Sequence, residues 1–254
     1  VQPNVKYILY NDDCTKVLNK LEDDSIDLVV TSPPYNLGIK YNSYNDNMDW
    51  GSYYAWCDVW LREIYRVLKP DGRLCLNHCL SCGKSEHRHL PLMKLYDIAT
   101  SLIGFNSHGL ALWNDNTICK PTAWGSWLSA SAPYISQTFE GVLILYKERW
   151  KKDGDGISTI SSDDFMIGCH GLWNFSVSKR SEHPATFPID LPKLCINLFS
   201  YKDDIVMDPF MGIGTTGIAC YQLERKFIGV ELDLIYFKLA EKNISELHKQ
   251  LSLF

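Results

Sequence analysis

Residues 205–217 read Ile205-Val206-Met207-Asp208-Pro209-Phe210-Met211-Gly212-Ile213-Gly214-Thr215-Thr216-Gly217. The apolar run that leads in, from Asp204 to Met207, suits a short strand buried on both faces. Pro209 ends it, because a proline has no amide hydrogen to give to a ladder. The glycines that follow let the backbone turn sharply and come close to a ligand. Thr215–Leu223 then reads as a helix, whose first turn offers unpaired N–H groups to whatever lies above it. Glu231 closes the next apolar strand, Phe227–Glu231, where a carboxylate is well placed for ribose hydroxyls. Taken literally, Gly212-x-Gly214-x-x-Gly217 with an acid about 20 residues on is also a dinucleotide fingerprint. A glycine turn that merely packs helix on strand would read the same.

Working outward, Val5–Tyr10 predicts a strand and Thr15–Leu21 a helix, and Ile26–Val30 is a nearly continuous apolar run expected to be a buried strand. Ser52 is a candidate N-cap for a helix to about Lys69, in which Trp56, Val59, Trp60, Ile64, Val67 and Leu68 recur at helical spacing, and Pro70-Asp71-Gly72 stops it. Strands follow near Arg73–His78, Leu110–Trp113 and Gly141–Tyr146, with a helix at Ile189–Phe199 and a final amphipathic helix at Leu234–Leu251. Strands alternating with helices predict an α/β fold with a mostly parallel sheet. Residues 114–182 break that rhythm. They return one strand to the sheet near 141–146 and otherwise read as an insertion, with Asp153–Ser162 as a loop.

A second stretch carries chemistry: Thr31-Ser32-Pro33-Pro34-Tyr35, directly after a buried strand. In an open parallel sheet ligands bind outside the carboxyl ends of the strands. Two prolines fix the backbone there, so the Ser32 hydroxyl and the Pro33 carbonyl can converge on one point as acceptors for an amino group. Tyr35 adds a flat face on which a base can stack, or else a ring that packs in the core.

Together the two motifs resemble those of DNA methyltransferases that modify exocyclic amino groups, in which Asp, Asn or Ser precedes Pro-Pro-aromatic and the cofactor motif reads close to DPFxGxGTT. The likeness extends to Asp13-Cys14, to Arg66-Val67-Leu68-Lys69-Pro70-Asp71-Gly72, to His183-Pro184-Ala185-Thr186-Phe187-Pro188 and to Phe227-Ile228-Gly229-Val230-Glu231. The serine-proline motif comes first and the glycine motif last, as in the circularly permuted beta class. The resemblance implies a Rossmann-like S-adenosylmethionine-dependent methyltransferase fold with helices on both faces of a twisted sheet. It implies one domain over 1–254, with a catalytic half (1–113), a candidate target-recognition region (114–182) and a cofactor-binding half (183–254). Ser32, Pro33, Pro34 and Tyr35 would be catalytic. Asp13, Asp208, Phe210, Gly212, Gly214, Thr215, Thr216 and Glu231 would bind S-adenosylmethionine, although the two threonines could equally be helix caps. A leading serine goes mostly with the 4-amino group of cytosine and a leading aspartate with the 6-amino group of adenine; both remain open. The expected partner is double-stranded DNA, its target base flipped out of the helix. A cognate restriction endonuclease would act separately, and the chain would be a monomer or dimer.

The remaining sequence sets bounds. The 254 residues carry a formal net charge of -5, which argues against wholesale coating of nucleic acid but leaves room for a local basic patch. One such run, Lys147, Arg149, Lys151 and Lys152 with Trp150 among them, is a candidate phosphate contact or a solvated face. Nine cysteines in apolar contexts suit reduced thiols. With no membrane-length apolar run and no signal-peptide pattern at Val1, the expected location is the cytoplasm. Cys75, His78, Cys79, Cys82, His87 and His89 crowd one segment, but His87-x-His89 is poorly spaced for a zinc finger, so no metal is expected. A nicotinamide or flavin oxidoreductase would use the glycine turn and leave Ser32–Tyr35 unexplained. A non-catalytic DNA-binding module would need neither motif intact.

Overall fold

Six consecutive residues, Ile26–Thr31, form a strand in which every side chain is buried, which requires cover on both faces of the sheet. Ile26 and Val29 pack into one core cluster and Leu28 and Val30 into another, and the same split separates Leu143 and Leu145 from Val142 and Ile144. This computed structural model describes residues 7–41, 43–83, 88–114, 125–135, 137, 139–175 and 187–251. Its strands are β1 (Tyr7–Asn11), β2 (Ile26–Thr31), β3 (Leu68–Cys79), β4 (Asn106–Asn114), β5 (Phe139–Tyr146), β6 (Leu172–Asn174), β7 (Ile205–Asp208) and β8 (Lys226–Glu231). They form one sheet in the order β1-β8-β7-β2-β3-β5-β4-β6. Every described pairing is parallel except those of β5, which runs antiparallel to β3 and β4.

On one face lie α1 (Cys14–Leu18), α2 (Trp50–Val67) and α3 (Pro91–Asp97), the last continued by a π-helical turn over Ile98–Ile103. On the other lie α5 (Asp190–Phe199), α6 (Thr215–Gln222) and α7 (Leu234–Leu251), with α4 (Ser162–Cys169) against α5. Helix α2 shows how sequence becomes packing. Asp49, not Ser52, is its N-cap and accepts the Ser52 amide at 2.9 Å. Tyr53, Cys57, Trp60, Leu61, Ile64 and Val67 fall on one buried stripe, each worth about 1.5–3 kcal/mol when an apolar side chain leaves water. The helix ends at Val67, two residues before the expected Lys69, because Leu68 is already extended and opens β3. Pro70 and Gly72, expected as a stop, lie inside that strand. Their carbonyls accept the amides of Glu148 and Lys147 at 2.9 and 3.1 Å, and Pro70 falls in the bulge where the register between β2 and β3 shifts, between the pairs Ile26–Leu68 and Leu28–Arg73, a place that tolerates a missing amide donor.

The candidate recognition region holds two elements that were not expected. It returns β5 to the sheet and leaves 153–161 without helix or strand, both as expected. It also supplies the short β6, which pairs with β4, and the helix α4 from Ser162, neither of which the sequence suggested. A three-residue strand and an eight-residue helix with no strong periodicity leave little signal in a sequence. Residues Val5 and Lys6, Trp124, His87 and 183–186 lie outside the described residues. No described helix is long and apolar enough to cross a membrane.

Candidate active site

The parallel strands deliver their carboxyl ends to one edge of the sheet, so β1, β2, β7 and β8 each hand a loop to the same place and β3 presents Asn77 from within the strand. There a cavity of about 480 Å³ opens, lined by residues of both motifs, a size ordinary for small-ligand sites. Because β5 is antiparallel, it is its first residues that reach this edge, and Glu140 lies opposite Cys79.

Ser32, Pro33, Pro34 and Tyr35 all line the cavity. The Pro34 carbonyl is held by the Tyr53 hydroxyl at 2.7 Å. The Tyr35 ring stacks on His78, with centroids 4.2 Å apart, and its hydroxyl lies 2.8 Å from Ser32 Oγ and 2.7 Å from Glu140 Oε2. Burial and the adjacent Glu140 carboxylate push the Tyr35 phenol well above its ordinary range. Burial likewise holds His78 down to about 4, so its imidazole is neutral at physiological pH. The loop after the motif wraps one side chain: the Asp46 carboxylate accepts the amides of Asn36, Leu37 and Ile39 at 2.8, 3.1 and 2.9 Å.

In the glycine motif, Phe210, Gly212 and Thr215 line the cavity, as do Asp13 and Glu231. Phe210 is wedged against Trp60 and Trp56 of α2, with ring centroids 5.3 and 5.5 Å away. Glu231 accepts the Gly212 amide at 2.9 Å through one oxygen and the Asp233 amide at 2.8 Å through the other. Each oxygen keeps a lone pair for a further donor. Burial pushes Glu231 up to about 7, against the pull of those two amides. Asp13 caps α1, accepting the Thr15 amide at 2.8 Å and the Thr15 hydroxyl.

Three residues grouped with the cofactor contacts stand behind the wall instead. Asp208 accepts the hydroxyls of Thr31 and Thr216, each at 2.7 Å, and the Phe210 amide at 3.1 Å. It thereby ties the end of β2 to the start of α6, and its burial without a cation raises it to about 6. Gly214 adopts φ +87°, and a Cβ there would come within 3.1 Å of Ala240, so its small size admits α7 rather than a ligand.

Of the basic run, two of the four residues are turned inward. Lys147 is buried, its ammonium bound to Asp24 Oδ1 at 2.6 Å and to the Leu68 and Arg66 carbonyls. Lys152 is paired with Asp27 and Asp204 at 3.0 and 3.2 Å. Arg149 pairs with Asp153 at 2.5 Å and Lys151 is exposed. These residues follow the far end of β5, seven residues beyond Glu140, or roughly 23 Å along a strand. Buried ammonium groups already paired at the opposite edge cannot serve phosphates beside the cavity. Of the Cys/His segment, Cys75 is buried in the core and His89 stacks on Trp50; among the described residues no three ligand-type side chains gather.

Sequence reasoning missed Asn77, Tyr53, Asp46 and Glu140, and weighed His78 only as a metal ligand. Only Glu140 carried a local hint, a charge at the start of an apolar strand. Five carboxylates line the cavity (Asp12, Asp13, Glu140, Glu231 and Asp233) and no lysine or arginine among the described residues does. Such a site suits a ligand with cationic groups and hydroxyl donors, and Phe210 and the open turn at Gly212 suit a flat apolar one. S-adenosylmethionine, with its sulfonium, ammonium, ribose and purine, fits that description.

Comparison with known proteins agrees with this reading. A family model described as DNA methylase matches residues 26–242. The Type II methyltransferase M.MjaVI of Methanocaldococcus jannaschii is 41% identical over 174 residues, 68% of this chain and 88% of the relative. A Thermus thermophilus protein provisionally assigned as a DNA modification methylase, solved with S-adenosyl-L-methionine, superposes with a TM-score of 0.73 at 27% identity, over 94% of this chain and 93% of its own. The PvuII DNA methyltransferase, described as cytosine-N4-specific, superposes at 0.75 over 96% and 92% of the two chains, and at 21% identity shares the fold.

Proposed function

The chain belongs to the family of DNA methyltransferases that act on exocyclic amino groups, and on that premise we propose that it methylates the 4-amino group of cytosine in double-stranded DNA. S-adenosylmethionine is the cofactor; when bound it supplies a sulfonium methyl that is already electrophilic. Phe210 and Gly212 would receive it, Glu231 would accept its ribose hydroxyls through the free lone pairs, and Asp13 would line its other side.

The observation that carries the reading is the presence of Ser32 and the glycine turn in one cavity. An exocyclic amine is a poor nucleophile because its lone pair is delocalised into the ring. Ser32 Oγ and the Pro33 carbonyl would accept its two N–H groups, orient the nitrogen and localise that lone pair. The gain comes from in-line positioning and from stabilising the charge that develops. The base must leave the duplex to enter the cavity, and the ring face of Tyr35 not covered by His78 would stack on it. No covalent intermediate on the protein is needed, and no Pro-Cys dipeptide is present to form one. DNA would approach the edge where the cavity opens, with part of 114–182 contributing to target choice. The relative M.MjaVI is a Type II methyltransferase, which supports a role beside a separately acting restriction endonuclease.

Mass spectrometry of nucleosides from DNA incubated with the protein and labelled cofactor tests the proposal. Label in N4-methylcytosine is the expected result. Label in N6-methyladenine would transfer the same geometry to the other amino base, and label in 5-methylcytosine would overturn the mechanism.

A further inference from the structure

A serine hydroxyl rotates, and it donates as readily as it accepts. To orient an amine, Ser32 must present lone pairs to the cavity and send its own proton elsewhere. The neighbours of Tyr35 impose that choice. Tyr35 Oη lies 2.7 Å from Glu140 Oε2, 2.8 Å from Asn77 Nδ2 and 2.8 Å from Ser32 Oγ. Asn77 Nδ2 also donates to the same Glu140 oxygen at 2.7 Å.

A phenol has one proton and two acceptor sites. Glu140 Oε2 accepts from the Tyr35 hydroxyl, so the phenol's single proton is directed at Glu140. The Asn77 amide donates into one acceptor site. The last contact, with Ser32, is therefore one in which Tyr35 accepts and Ser32 donates. The Asn77 amide is held the same way round by the carboxylate, even though its Oδ1 is left buried without a partner.

We propose that Glu140 is a positioning residue for methyl transfer: its carboxylate orders the chain Ser32 to Tyr35 to Glu140, so that Ser32 Oγ faces the cavity as an acceptor only. The inference rests on the amine-methylation reading above. Without the carboxylate the chain loses its polarity. In Glu140→Gln the amide can turn its NH₂ toward Tyr35, which then donates to Ser32, and the Ser32 proton points at the incoming amine. In Tyr35→Phe the ring remains but the Ser32 proton has no assigned partner.

The test measures single-turnover methyl transfer at saturating cofactor and DNA for wild type, Glu140→Gln and Tyr35→Phe, with calorimetric cofactor affinity, DNA affinity and melting temperature. The expected result is a fall in transfer rate on the order of 10- to 100-fold, below the roughly 10²–10³ of losing a direct electrostatic contact. Both affinities should stay within about threefold, since neither ligand loses a contact of this size. Rates within about twofold of wild type would overturn the inference while sparing the function. So would a loss of rate matched by equal losses of both affinities, because that marks a collapsed site. If Glu140→Gln does not fold, Tyr35→Phe decides by the same criteria. A wild type that methylates a ring carbon overturns the underlying reading, and this inference with it.

Discussion

Both edges of the sheet bury carboxylates, but among the described residues only one supplies them with cations. At the carboxyl edge, Asp208 and Glu231 are buried beside hydroxyls and backbone amides, and burial pushes them up to about 6 and about 7. At the amino edge, burial of Asp27 also acts to raise it, but hydrogen bonds from Lys69 and the Ile205 amide and the charge of Lys152 outweigh that and hold it low. Lys152 is in turn held high, its partners Asp27 and Asp204 outweighing burial. One edge leaves Asp208 and Glu231 without a cation among the described residues and opens Glu231 to a ligand; the other closes its charges on each other. A charged cluster therefore says little about binding until its partners are known.

Substitutions that separate function from stability would break or sharpen this contrast. The largest effect is expected at the open edge. Ser32→Ala should lower methyl transfer by about 10²–10³-fold, with cofactor affinity within a few-fold and an unchanged melting temperature. Near-normal turnover would remove Ser32 from the mechanism. At the closed edge, Lys152→Ala should destabilise the fold by about 3 kcal/mol, the low end for breaking a buried pair because Lys69 still faces Asp27. Denaturant titration reads this, and the double variant with Asp27→Asn should recover part of the loss. Stability equal to wild type, with weakened DNA binding, would return the basic run to the DNA.

Glu231→Ala should weaken S-adenosylmethionine binding by roughly 1.5–3 kcal/mol, the range for hydrogen bonds to a charged group, without unfolding the protein. The raised pKa of Glu231 adds a sign. Wild-type affinity should fall as pH drops through about 7 toward 6, by up to about tenfold per pH unit if only the ionised carboxylate binds. In Glu231→Gln that pH dependence should flatten, and calorimetry across the series checks both. The smallest effect belongs to exposed Lys151, whose replacement by alanine should change stability by no more than about 0.5 kcal/mol and leave cofactor affinity alone.

These contrasts also mark what a linear reading reaches. Ile26–Val30, Phe227–Glu231 and Leu234–Leu251 were legible because a buried strand or an amphipathic helix writes its environment into consecutive residues. The serine-proline and glycine motifs were legible because a rigid turn and a close approach need particular residues at fixed spacing. Lys147 and Lys152 misled because a run of like charges is the same string whether its ammonium groups face water or pair with Asp24, Asp27 and Asp204. Gly214 and Asp208 sit inside a true motif, yet they serve α7 and the joint between the halves.

By itself the sequence determined the alternation of strands and helices, the two motifs and hence the family, since each depends on neighbours within a few residues. The tertiary structure alone decided which side chains meet. Asn77 and Glu140 are 63 residues apart and join only because β5 pairs antiparallel with β3. Thr31 and Asp208 are 177 apart and join because β7 lies beside β2. Strand order and direction are set by how whole faces bury against one another, a cooperative property that no short window of sequence contains.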